Sequence, residues 1–179
     1  MAGTILLIDK TLGTVMTTPL TFSDACKRLQ PFGLKAEHIY LIDLALLAEM
    51  AWADGSIQEA EEDLLIDYVD QHVKNINQMA GFQMLSAKDA FSFVQSLLSS
   101  PPSPALIKEI HHIIGGLCQH KNAESVNQQK TRILNACMDI GASAVTKYPY
   151  GLKERFTAEE KQCYRKIAAL FHLDSPTSK

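Results

Sequence analysis

The sequence contains no Walker loop, no GxGxxG, no GxSxG and no HExxH, so the compact signatures of nucleotide binding, acyl transfer and zinc hydrolysis are missing. An enzyme built from this chain would need a site assembled across separate elements, and catalysis is not the expectation. Its four cysteines, Cys26, Cys118, Cys137 and Cys163, are widely spaced and form no CxxC pair, which suits reduced thiols in a cytoplasmic core rather than a disulfide frame. There is no excess of basic residues. With 17 Lys and Arg against 20 Asp and Glu, no basic stripe attracts a polyanion, and nucleic-acid binding is not expected. No apolar run is long enough for a membrane span, although peripheral association with a membrane complex remains compatible with the chain. The N-terminus lacks a basic start before its short apolar run Ile5 to Ile8, so no secretory signal is expected. After that run no stretch alternates apolar and polar residues, which removes the main signal for strands.

Helical periodicity is what the chain does contain. From Ile42 to Trp52 only Asp43 and Glu49 are charged, and this Ala- and Leu-rich run predicts a buried central helix. Asp54-Gly55 follows as a turn. Beyond it Leu64, Leu65, Tyr68, Val69, His72, Val73 and Ile76 recur on one helical face, opposite a solvated face with Glu59, Glu62, Asp63, Asp67 and Asp70. Ser56, with Glu59 three residues on, is the expected reciprocal cap of this second helix.

The remaining elements are read in the same way. Thr21 to Leu29 is a short helix capped by Thr21 and Asp24 and stopped at Pro31-Phe32-Gly33. Ser86 caps a helix whose inward face is expected to be Ala90, Phe91, Val94, Leu97 and Leu98. Ser99 to Pro104 punctuates the chain but is short enough for a loop inside one bundle. Ser103-Pro104 then starts a helix with Leu106, Ile107, Ile110, Ile113, Ile114 and Leu117 inward, and Gly115-Gly116 allows a close crossing. Asn122 to Gln128 reads as a polar turn before a helix carrying Ile133, Leu134, Cys137, Met138, Gly141 and Val145. Tyr148 to Arg155 is a loop, and Thr157 with Glu160 forms a capping box for the last helix, ending near His172. The expected fold is all-α: one domain over residues 21–173, a bundle of about seven helices, with an N-terminal arm at 1–20 and a tail at 174–179.

One segment carries a chemical suggestion. Asp54 to Glu61 matches the second half of an EF-hand loop, with Asp54, Gly55, Ile57 and Glu61 at positions 5, 6, 8 and 12. Positions 1 and 3 fall on Met50 and Trp52, so a seven-oxygen calcium cage cannot form here. Read without a metal, Asp54 and Gly55 make the turn and Glu59 or Glu61 caps the next helix. Other donor sets are weaker. His111, His112, Cys118 and His120 share a helix, but Cys118 and His120 point apart, and a buried thiol with half-buried histidines is the plainer reading.

An apolar helix ending in Ala53-Asp54-Gly55, then Ser56, Ile57 and a Glu seven positions after the Asp, resembles the TerB-like family of tellurite-resistance proteins. A second, degraded copy is similar from Phe156-Thr157-Ala158-Glu159-Glu160 through Tyr164, Ile167, Ala168, Leu170 and Leu173, with no Asp-Gly pair before it; Asp139 is the nearest acid. The resemblance covers most of Glu37 to Leu173 and gives the bundle two weakly similar halves. It implies a non-enzymatic, cytoplasmic, all-helical module of a bacterial stress response. That module would bind a divalent cation, calcium, magnesium or manganese before zinc, through Asp54, Glu61, Asp139 and Glu160, or would bind a protein partner. A scaffold without metal, whose acids only cap helices, and an enzyme with a dispersed site are the competing readings.

Overall fold

A computed structural model of the protein describes residues 20–118, 124–143 and 156–171. Within them the chain forms α1 (Phe22–Leu29), α2 (Ile42–Ala51), α3 (Glu59–Ala80), α4 (Ala87–Ser99), α5 (Pro104–Cys118), α6 (Glu124–Ser143) and α7 (Ala158–Leu170), with 3-10 segments at Gln30–Phe32 and Ala36–Leu41. Among the described residues there is no strand, and the all-α bundle expected from periodicity is what forms.

Helix α2 is the axis. Every residue from Ile42 to Ala51 except Glu49 is buried, because α3, α4, α5, α6 and α7 all pack against it. A helix with no solvent face needs no amphipathic pattern, which is why this run is apolar all round. The others are one-sided. Helix α3 contributes Leu65, Val69, His72 and Val73 to the core, and α5 contributes Ile110, Ile113 and Ile114. Helix α6 turns Ile133, Leu134, Cys137 and Ile140 inward, and α7 turns Cys163, Ile167 and Ala168 inward. The N–H of the Trp52 indole donates to the carbonyl of Leu97 at 2.9 Å, tying the end of α2 to that of α4.

Local signals set most boundaries. Thr21 and Asp24 form the capping box of α1, Ser86 accepts from the Asp89 amide, and Ser103 accepts from that of Leu106. Helix α3 stops at Gly81, whose φ of 74° supplies the left-handed C-terminal residue. Just past it the Asn77 amide clasps the turn into α4, its Oδ1 accepting from Met84 and Leu85 and its Nδ2 donating to the carbonyl of Leu85.

Five local expectations are corrected. Helix α3 begins at Glu59 behind a Gln58 cap, not at Ser56, because Asp54 takes the Ser56 amide for its own turn. Helix α4 buries Phe93 and leaves Phe91 at the surface. Met138 of α6 is exposed while Ile140 takes the core position, and residues 124–128 are helix, not turn. In the Gly115-Gly116 pair the neighbour is Leu20, whose Cβ would lie 3.2 Å from a Cβ at Gly116, and nothing comes within 4 Å of one at Gly115. The arm before Leu20, Val145 and the loop from Tyr148 to Arg155 lie outside the described residues.

Gly141 is the tight point of the bundle. A Cβ there would stand 2.6 Å from Cε1 of Phe156 and 2.8 Å from Cε of Met50. In Gly141→Ala, overpacking of about 1 to 3 kcal/mol outweighs the roughly 1 kcal/mol that Ala gains over Gly in a helix. The melting temperature should fall, whereas Gly115→Ala, with open space at its Cβ, should raise it. Calorimetry of the pair checks this, and the reverse order would contradict the packing described.

Candidate functional site

The turn from α2 to α3 is built by short-range bonds. Asp54 Oδ1 accepts the Ser56 amide at 3.1 Å, Gly55 donates its amide to the Trp52 carbonyl at 2.9 Å, and Gly55 adopts a φ of 95°. Glu61 then reaches back, its Oε2 accepting from the Gln58 amide at 2.8 Å. The start of α7 repeats this device: Glu160 Oε2 accepts from the Thr157 amide, and Thr157 Oγ1 accepts from the Glu160 amide at 3.1 Å. The two glutamates occupy the same place in their helices, third in a capping box, and are 1% and 2% exposed.

The two halves meet here. Burial pushes the Glu61 carboxyl up to about 7, the Gln58 amide opposes this, and the negative charges of Asp54 and Glu160 add to it. Asp54 and Glu160 therefore each lie within electrostatic reach of Glu61. Asp54 itself is exposed, and Asp139, exposed on α6, makes no hydrogen bond or ion pair among the described residues. The buried oxygens are already occupied by the amides of helix N-termini, where carboxylates are most favoured. Among the described residues no buried side-chain nitrogen or oxygen lacks a partner, and no three His, Cys, Asp or Glu side chains stand close enough to hold an ion between them.

Two further ionic centres surround α2. At its start, Asp43 Oδ2 faces His72 Nδ1 of α3 at 3.4 Å and accepts from Gln129 of α6 at 3.1 Å, while Oδ1 accepts the Leu44 amide. The other ring nitrogen of His72 lies 2.7 Å from the Tyr40 carbonyl, which only accepts, so Nε2 carries the proton. Burial pushes the Asp43 carboxyl up, against the pull of His72 and the amides. Near the other end of α2, Glu49 Oε2 meets His111 Nε2 of α5 at 2.6 Å. Sequence reading had placed these acids in a buried helix without naming partners. The available signal was a charged residue in an apolar run and, for Asp43, a histidine on the apolar face of α3.

Cys137 and Cys163 are not nucleophilic thiols. Burial raises the Cys163 thiol to about 12 and pushes that of Cys137 higher, and a neutral buried thiol is a poor nucleophile. At the surface, a groove of about 60 Å³ runs between α3 and α6. Tyr68, His72, Ile76 and Met79 form its α3 side, and Gln129 and Arg132 its α6 side.

Comparison with protein-family models, curated proteins and solved structures yields no match.

The pH dependence of stability tests the junction. Because the folded Glu61 carboxyl titrates near 7 rather than 4.5, its favourable contribution is complete below pH 4.5 and is lost as the pH rises through 7. Glu61→Gln keeps an oxygen for the Gln58 amide and removes the charge. The variant should melt with the wild type at about pH 4 and above it at pH 8, by on the order of 1 to 2 kcal/mol, or about 2 to 8 °C. Equal melting temperatures at pH 8 would mean that Glu61 is not held in a proton-retaining site.

Proposed function

We propose that the chain is a non-enzymatic protein-interaction module of the TerB-like type, cytoplasmic and serving a bacterial stress response. The observation that carries the interaction reading is on α3. Its core stripe continues past the cover of α6, so that Tyr68 and Ile76 are half-buried and Met79, one turn beyond, is 84% exposed. An apolar edge opening into a groove with polar walls is the arrangement that helix-in-groove recognition uses, and methionine adapts well to such contacts. Arg132 stands at the groove and forms no ion pair among the described residues. The partner chemistry that fits is an amphipathic helix presenting an aliphatic side chain to Met79 and Ile76 and a carboxylate to Arg132. The buried inert thiols, and the two acids of α2 that each face a histidine, also fit a module without chemistry of its own.

The second reading is divalent-cation uptake at Asp54, Glu61 and Glu160, favoured by the carboxyl that titrates near 7 beside two further acids. Calcium, magnesium or manganese would have to draw Asp54 out of its turn and complete its shell with water, since the carboxylates are engaged as caps.

Two measurements separate the readings. A photo-crosslinking residue at Met79, in cells expressing the full chain, should give a discrete adduct that Arg132→Glu removes, with none from the same residue at exposed Lys88. No Met79 adduct, or one indifferent to Arg132→Glu, would rule out the groove. For the cation, an ion at about 100 times its dissociation constant adds roughly 2.7 kcal/mol, a rise of about 5 to 11 °C in melting temperature. If chelator-stripped protein gives that shift and Asp54→Asn abolishes it, the ion reading holds; if no ion shifts the wild type, the acids are caps.

A further inference from the structure

A second concavity lies on the far side of α2 from the α3–α6 groove. It is a cleft of about 280 Å³ between the end of α2, the Pro101-Pro102 loop, the start of α5 and one face of α7. That volume is near the lower end for sites that take small molecules. Trp52, Pro101 and Ile107 supply apolar wall, and Glu49, Glu159 and Lys166 supply charge.

The walls are preorganised. The Trp52 indole is held by its bond to the Leu97 carbonyl, the prolines have fixed φ, and the Cys163 thiol lies 3.6 Å from the Glu49 carbonyl. Rigid walls lower the ordering cost of binding. Glu49 stands at the inner end with its side chain 19% exposed, turned toward His111 behind it by a single bond. A carboxylate has about four acceptor positions, so capacity remains for a second donor. Among the described residues Glu159 makes no hydrogen bond or ion pair, and neither does Lys166. Two carboxylates against one ammonium leave the lining richer in acid than in base, and the protonated Cys163 thiol adds no charge. An anion would meet both acids on entering, and a bare metal ion finds no three ligands together.

We propose that this cleft binds a small organic cation, an amine or guanidinium on an apolar body of about ten non-hydrogen atoms. The cationic head lies between Glu49 and Glu159. The body lies along Trp52, Pro101 and Ile107, where the indole adds cation–π attraction. The cleft shares no lining residue with the α3–α6 groove.

Trp52 is the only tryptophan in the chain, so its emission reports on the cleft directly. The full-length protein is titrated with phenethylamine and, in parallel, with phenylacetate, which has similar size and opposite charge. Phenethylamine should change the emission saturably, with half-saturation at or below about 1 mM, and phenylacetate should bind at least tenfold more weakly. Glu159→Gln, an exposed position, should weaken the amine about tenfold, and Lys166→Gln should leave it unchanged or tighter. Thermal melts of both variants report whether they fold as the wild type does; for a variant that does not, the amine-to-carboxylate preference of the wild type decides alone. No saturable response to the amine, equal binding of phenylacetate, or a folded Glu159→Gln variant with unchanged affinity would overturn the assignment.

Discussion

A helix buried on every side can carry charge only if each charge meets a partner inside the protein. Helix α2 carries two acids, Asp43 near its start and Glu49 near its end, and the bundle supplies a histidine to each, His72 from α3 and His111 from α5. An unpaired carboxylate in that setting would cost several kcal/mol. The positions of α3 and α5 around α2 are therefore fixed by these meetings as well as by packing. Gln129 of α6 adds a third bond at the Asp43 end. Hydrophobic burial holds the five helices against α2 without direction, whereas the ion pairs give register to the contact.

The acidic junction follows the same economy of partners at the surface of the core. Glu61 and Glu160 are almost wholly buried, and each satisfies the first turn of its own helix. Burial, with the charges of Asp54 and Glu160 adding to it, leaves Glu61 poised between charged and neutral near pH 7. The two halves of the chain thus meet through a shared electrostatic strain rather than through a bridge. The α3–α6 groove and the cleft beside Trp52 lie on surfaces where the α2 core gives way to solvent.

What could be read from the sequence was local. Thr21 with Asp24, Ser86, Ser103-Pro104 and Thr157 with Glu160 each announce a helix start within four residues, and each starts one. Ser56 misled because Asp54 competes for its amide two residues away, a contest that spacing does not decide. Phe91 and Phe93 are both apolar, and only the packing of α4 on α3 selects the second. Residues 124–128 form the first turn of α6, and a mostly polar composition does not distinguish a helical turn from a loop. Within the candidate site, the glutamates that close each box were legible because the box is a short-range device. Their mutual approach was expected only through the resemblance between the halves, and the pairs Asp43 with His72 and Glu49 with His111 depend on tertiary structure that no window of sequence contains.

Those separations bear on the order in which the chain can organise itself. Asn77 closes the α3–α4 hairpin through bonds to residues only seven and eight positions away, so that hairpin needs nothing synthesised later. Glu49 is different, since His111 follows it by 62 residues. During synthesis from the N-terminus, the most apolar helix of the protein waits with one acid unmatched while its neighbours assemble. A carboxylate is at ease in water and costly in a core without a partner, so this end of α2 gains its polar match only once α5 is in place.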